Sequence, residues 1–311
     1  MRGNLRSSLK YKLLEYLRIY STKIRKSNRF NLPSANLVCY GFEPQTDLIG
    51  FYGGPEREEF EASLQFLKEN KFDLVNAFDI GANIGITSLY LSSVYEQVHS
   101  FEPHPISFQL LELNSKLSKS QNIKTNNFGL SNKNGIEELI DWNPYHVGQS
   151  GIDPKKILKE RYTSKNFKSS SYDIKCITLD DYIKKNKIKN VSLLKIDAEG
   201  HEMKILKGAK ETIKRFSPPI IFEDWETRLG KESELRNILR SLGYDIFMNL
   251  ENTPPNLLHK SNFINNTINT IFKLIYIFLK GNSKKLETNN TSREFGYEHV
   301  LTVKLSSIQK N

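Results

Sequence analysis

The stretch Phe78-Asp-Ile-Gly-Ala-Asn-Ile-Gly85 restricts the fold more than any other, because it stands where an apolar, strand-like run (residues 74–80) gives way to helical spacing. Glycine at such a join lets the backbone turn sharply and come close to a ligand, and the helix that opens there offers unpaired N–H groups. A small molecule bound at the carboxyl end of the strand is the expectation. The same alternation then repeats. A strand is expected over residues 97–101, a helix opens at Pro105 with Ile106, Leu110, Leu113 and Leu117 on one face, and a third strand is expected over 123–130. Strands alternating with helices argue for a parallel sheet with helices on both faces.

Residues 132–171 are polar and broken by Asn143-Pro144, Gly148, Gly151 and Asp153-Pro154, which reads as a long insertion or lid with Trp142, Tyr145 and His146 as its aromatic candidates. Order returns with a strand at 174–177, and Thr178-Leu-Asp-Asp181 matches a capping box opening a short helix to about residue 187. A strand at 191–196 leads into one helix with Met203, Leu206, Ala209, Ile213 and Phe216 on one side, stopped by Pro218-Pro219. A strand at 220–222, a helix carrying Leu235, Ile238, Leu239 and Leu242 and closed by Gly243, and strands at 244–250 and 299–305 complete the pattern. Residues 263–279 are rich in Ile and Phe, but Asn265, Asn266, Asn269 and Lys273 make them an amphipathic or interface helix rather than a bilayer span.

Glycine-rich turns serve dinucleotide enzymes too, and here the spacing discriminates. A dinucleotide fingerprint beginning at Gly81 needs glycine at positions 83 and 86, where this chain has Asn83 and Ile86. Asp79, Gly81 and Gly85 instead fit Asp-x-Gly-x-x-x-Gly, the first motif of class I methyltransferases, whose turn wraps the methionine part of the cofactor. Glu102 ends the second strand 23 residues after Asp79, where a carboxylate can accept both hydroxyls of a ribose.

With Phe101-Glu-Pro-His-Pro105, Ile177-Thr-Leu-Asp-Asp181, Leu193-Leu-Lys-Ile-Asp-Ala-Glu-Gly200 and Lys207-Gly208-Ala209 following in order, the chain resembles the FkbM-type methyltransferase family over residues of about 74 to 225. Ala198, where the family often has valine, is a small departure. The resemblance implies an α/β, class I methyltransferase (Rossmann-like) fold with a seven-stranded, mostly parallel sheet in the order 3-2-1-4-5-7-6, helices on both faces and an antiparallel final strand. It implies S-adenosyl-L-methionine (AdoMet) as methyl donor and O-methylation of a sugar, glycolipid or natural product. The expected cofactor contacts are Asp79, Gly81, Asn83, Gly85, Glu102 and Asp197.

Methyl transfer to an alcohol needs positioning and a base for the hydroxyl proton. Asp197 is the first candidate, followed by Glu199, His201 and Glu223. Glu199 could instead cap a helix, and His201 could be an ordinary surface histidine. The acids could also bind Mg²⁺ or Ca²⁺. No metal site is assigned, and Cys39 and Cys176, the only cysteines, lack metal-binding spacing and favour an intracellular protein without disulfides.

Of the formal charge of +10, residues 1–30 hold +8, so the basicity belongs to an N-terminal arm and no nucleic-acid partner is expected for the remainder. Leu9, Leu13, Tyr16, Leu17 and Tyr20 give that arm a helical apolar stripe that suits either an anionic membrane surface or packing on its own domain. The organisation expected is an arm (1–45), a methyltransferase domain (46–305, with insertions at about 141–171 and 251–298) and a tail (306–311). The location expected is cytoplasmic, with peripheral membrane contact through the arm. The partner is a small-molecule or glycan acceptor. The rivals are a nicotinamide-dependent oxidoreductase, disfavoured by Asn83 and Ile86, and a non-catalytic membrane-docked module of the same fold.

Overall fold

The computed structural model describes residues 37–40, 57–118, 120–141, 150–151, 170–224, 233–250 and 299–308. The arm at 1–30, the aromatics Trp142, Tyr145 and His146, and the segment 263–279 lie outside them. Among the described residues the elements run α1 (Arg57–Glu69), β1 (Asn76–Ile80), α2 (Ile86–Ser92), β2 (Gln97–Phe101), α3 (Pro105–Leu117), β3 (Ile123–Asn126), β4 (Gly129–Leu130), β5 (Gly135–Asp141), β6 (Ser170–Ile177), α4 (Leu179–Lys185), β7 (Leu193–Ile196), α5 (Glu202–Gly208), α6 (Lys210–Phe216), β8 (Ile220–Glu223), α7 (Glu234–Ser241), β9 (Ile246–Leu250), β10 (His299–Val303) and α8 (Leu305–Ile308). The large sheet has the order β3-β2-β1-β7-β8-β10-β9, which is the class I methyltransferase order once its seven strands are numbered along the chain.

By contact the chain divides into two compact units, residues 1–57 with 73–218, and residues 58–72 with 219–311. In the first, β1 pairs in parallel with β2 on one side and β7 on the other, and β2 pairs in parallel with β3. Strands shielded on both faces carry continuous apolar runs, and Ala77, Phe78, Leu193, Leu194 and Val98 are all fully buried. Tyr182 of α4 meets Phe101 edge-on with ring centroids 4.9 Å apart, seating α4 on these strands. In the second unit, Phe60, Leu64 and Leu67 form the buried stripe of α1, an element to which the sequence reading gave no structure. There β10 runs antiparallel to both β8 and β9.

Four departures from the sequence reading have local causes. The expected strand over 123–130 is two strands in different sheets. Asn126 donates its amide to Ser100 O and Asn127 donates to Glu102 O, pinning a bend after β3. The expected single helix through Ala209 is α5 and α6. Asp180 of α4 accepts from Glu211 N, Thr212 N and the Thr212 hydroxyl (3.1, 2.8 and 2.6 Å), capping a second helix start that no local motif announces. The helix expected to open at the glycine turn begins only at Ile86, because Asn83 and Gly85 are left-handed. The expected insertion contains β5 and the start of β6, which with β4 make a second, three-stranded sheet in the order β4-β6-β5.

Candidate active site

The glycine turn is held against two strand ends. Gly81 N and Ala82 N both donate to Phe101 O at 3.0 Å, fastening the turn to the end of β2. Gly81 has φ +77°, and a Cβ there would lie 1.8 Å from Asp197 O. Only glycine permits that backbone approach to the end of β7. Gly85 caps α2 at φ +93°, where a Cβ would meet the Leu111 side chain at 2.6 Å.

Beneath the turn a buried ammonium links three acceptors. Lys195 Nζ lies 3.2 Å from Asp79 Oδ1, 3.3 Å from Asp197 Oδ2 and 3.1 Å from Gly81 O. Ser88 donates its hydroxyl to the other Asp79 oxygen at 2.6 Å. Asp79 is 0% exposed and Lys195 2%, so the pair is compensated internally, as a buried charge must be. The Asp197 side chain keeps 23% of its surface accessible. Of the two acids on this ammonium, both expected to touch cofactor, Asp197 opens to solvent and Asp79 supports the turn from below.

Glu102 follows β2 and is 7% exposed. Its Oε2 accepts from Asn83 N and its Oε1 from His104 N, each at 2.8 Å. Burial pushes its carboxyl up to about 6, against the opposing pull of those two N–H donors. Each oxygen retains acceptor capacity beyond its one backbone bond, so two neighbouring hydroxyls of a ribose could both donate to this carboxylate. Together with the turn at Gly81, this is a cradle suited to a nucleoside.

The turn after β7 has its own brace. Glu199 and Gly200 are left-handed (φ +49° and +97°), and the buried Glu202 accepts from Ala198 N and Gly200 N, both at 3.0 Å. Burial raises the Glu202 carboxyl above its ordinary value. The carboxylate closing this turn is thus Glu202, which the sequence reading passed over. His201, considered above as a surface histidine, is 1% exposed, and its Nε2 lies 3.1 Å from the Ser131 hydroxyl. Glu223 lies in the second unit at the end of β8, 4% exposed, and the neighbouring Asp224 accepts from Arg236 Nε at 2.6 Å. Among the described residues no group of three or more His, Cys, Asp or Glu side chains could hold a metal ion.

Two further residues escaped the sequence reading. Ser88 left no signal. His104 did, since it immediately precedes a proline at a helix start, where the N-cap belongs; its Nδ1 accepts from Ser107 N at 3.2 Å.

Comparison with known proteins agrees with this geometry. Residues 79–246, just over half the chain, match the family described as the methyltransferase FkbM domain. The methyltransferase sdnD of Sordaria araneosa is 26% identical over 230 residues, covering 65% of this chain and 88% of that protein. The hexuronic acid methyltransferase AglP of Haloferax volcanii is 30% identical over 131 residues (42% and 48%). The 31-O-demethyl-FK506 methyltransferase FkbM of Streptomyces tacrolimicus is 26% identical over 155 residues (43% and 59%).

Proposed function

We propose that this chain, which belongs to the FkbM methyltransferase family, O-methylates a hydroxyl of a sugar, glycan or glycolipid. It is a methyltransferase that uses AdoMet. The observation that carries the site assignment is the Glu102 carboxylate, fixed by two backbone N–H groups beside the Gly81 turn. AdoMet supplies a methyl group on a sulfonium. Glu102 would hold the ribose, while Gly81, Asn83 and Gly85 shape the turn around the methionine part. Asp79 and Lys195 keep that turn rigid from beneath.

Asp197 is the assigned base. It stands at the carboxyl end of β7, its Oδ2 is steadied by Lys195 at 3.3 Å, and its side chain reaches solvent. A carboxylate so placed can take the proton of an acceptor hydroxyl, which is what this chain's own residues would have to do beside a bound methyl donor. Glu199, on the same turn and partly exposed, is the second candidate. His201 faces Ser131, which suits it to hold the turn rather than to move a proton. The names of AglP and the tacrolimicus enzyme, which specify a hexuronic acid and a 31-O position, support an oxygen nucleophile on a sugar or similar polyol. The +8 arm at residues 1–30 would bring the enzyme to an anionic membrane surface. Among the described residues no helix is long and apolar enough to cross a membrane.

Incubation with methyl-labelled AdoMet and a panel of neutral glycosides, hexuronic acid glycosides and polyol lipids tests the reading. Alkali-stable label on a sugar hydroxyl is the expected result. Alkali-labile label, the mark of a methyl ester, or label on nitrogen would overturn it.

A further inference from the structure

Two acids of β5 face the same side of the strand, four residues apart, and each is wired to a histidine at the start of a helix that follows a cofactor-facing loop. Asp141 Oδ2 lies 3.3 Å from His104 Nε2. Because His104 Nδ1 accepts from Ser107 N, the ring proton sits on Nε2 and is donated to Asp141. His104 is also the residue whose main-chain N–H holds Glu102 Oε1. At the other acid, Ser131 donates its hydroxyl to Glu137 Oε1 at 2.5 Å, and His201 Nε2 approaches the same hydroxyl oxygen at 3.1 Å. With the hydroxyl proton spent on Glu137, His201 Nε2 must be the donor. His201 N in turn bonds Ala198 O at 3.1 Å, at the turn beside Asp197.

Both histidines are 1% exposed and Asp141 is 9% exposed. Between the two acids, Leu139 is 2% exposed and packs with Ile174 and Cys176. Burial raises both acids, yet each lies below its ordinary value: the His104, Ser150 and Tyr172 partners outweigh burial at Asp141, and Ser131, His201 and Lys204 outweigh it at Glu137. Carboxylates kept charged by such directed partners, Asp141 buried and Glu137 partly exposed, act as fixed anchors.

We propose that β5 is a tie-bar for the cofactor site, in which Asp141 positions the Glu102 loop through His104 and Glu137 positions the 198–200 turn through Ser131 and His201. These are positioning residues, and their role rests on the reading that those two loops hold AdoMet. It explains why a strand with the unpromising sequence Gly-Ile-Glu-Glu-Leu-Ile-Asp is a fixed part of the fold.

The test measures S-adenosylhomocysteine affinity by calorimetry together with amide hydrogen exchange in the full-length protein. Asp141→Ala should weaken binding about tenfold and speed exchange at His104 N–H, leaving Gly200 N–H protected. Glu137→Ala should do the reverse at the two loops with a similar loss of affinity. Asp141→Asn and Glu137→Gln, which retain an acceptor, should recover most of it. His104→Asn keeps a helix cap but is too short to reach Asp141, so it should behave like Asp141→Ala, and it stands in if that variant fails to fold. Affinities within twofold of the parent in folded Asp141→Ala or His104→Asn and in Glu137→Ala, with unchanged exchange, would overturn the tie-bar. Glu102→Ala separates the two readings: if it leaves affinity intact, the ribose assignment fails, and the exchange pattern alone decides the tie-bar.

Discussion

Replacing Lys195 by methionine removes the cation that faces Asp79 from within the strand layer, while keeping most of the volume of the side chain. Asp79 is wholly enclosed and keeps its hydrogen bond from Ser88, while Gly81 O loses its side-chain donor. Breaking a buried pair by deleting one partner costs about 3–5 kcal/mol, because the surviving charge stays desolvated. At roughly 2–4 °C per kcal/mol for a domain of this size, the melting temperature should fall by about 10 °C. The double variant Asp79→Asn/Lys195→Met removes the enclosed ion pair and leaves only Asp197, which reaches solvent, without its cation, and the amide oxygen it introduces can still accept from Ser88. Its remaining cost should be about 1–2 kcal/mol, mostly the lost bond to Gly81 O. Urea unfolding of the parent, both single variants and the double variant measures all four corners of the cycle. A single Lys195→Met cost below about 1 kcal/mol, or a double variant no more stable than the single, would refute the argument that Lys195 neutralises Asp79.

The Glu102 carboxyl, pushed up to about 6 by burial, predicts a pH profile. Ribose hydroxyls need the ionised form, so S-adenosylhomocysteine affinity should fall by up to about tenfold per pH unit below 6 and stay level above it. The inflection should vanish in Glu102→Gln. Without ligand the sign reverses: a raised folded pKa gives stability that is present below about 4.5 and lost as pH rises through about 6. Asp180→Ala should cost about 1–2 kcal/mol in urea unfolding, since it uncaps α6, with cofactor affinity unchanged. Deleting residues 1–30 should abolish salt-sensitive binding to anionic vesicles and preserve S-adenosylhomocysteine affinity; loss of the fold would show instead that the arm is a packed part of the enzyme.

The alternation of strands and helices is legible in the sequence because it rests on short-range patterns, while the sheet order comes with the resemblance to the FkbM-type family. A strand end, a glycine turn and a carboxylate at the next strand end are local patterns, and the boundaries of β2 and the Thr178 cap of α4 follow them closely. What stayed hidden depends on partners distant in sequence. Nothing near Ala209 predicts a helix break, since the cap is supplied by Asp180 from α4. Nothing in residues 135–141 suggests a strand, since its inward acids are tolerable only once Ser131, His104 and His201 arrive beside them. Gly208 shows the same limit. The motif marked it as special, but the reason, a Cβ that would lie 2.0 Å from Ser131 O, lies in the packing of α5 against the end of β4. Asp197, Glu199 and His201 are close in sequence at the end of β7, and only the fold separates them by exposure: Asp197 open, Glu199 on the turn, His201 inside.

A cradle built from Gly81 and Glu102 should hold AdoMet and not a dinucleotide. Calorimetric titration of the full-length protein with S-adenosylhomocysteine, run beside NAD⁺ under the same conditions, tests it most directly. Saturable one-site binding of S-adenosylhomocysteine, weakened by about 2–3 kcal/mol in Glu102→Ala, and no binding of NAD⁺, is the result predicted here. Saturable binding of NAD⁺ with none of S-adenosylhomocysteine would make the cradle a dinucleotide site instead.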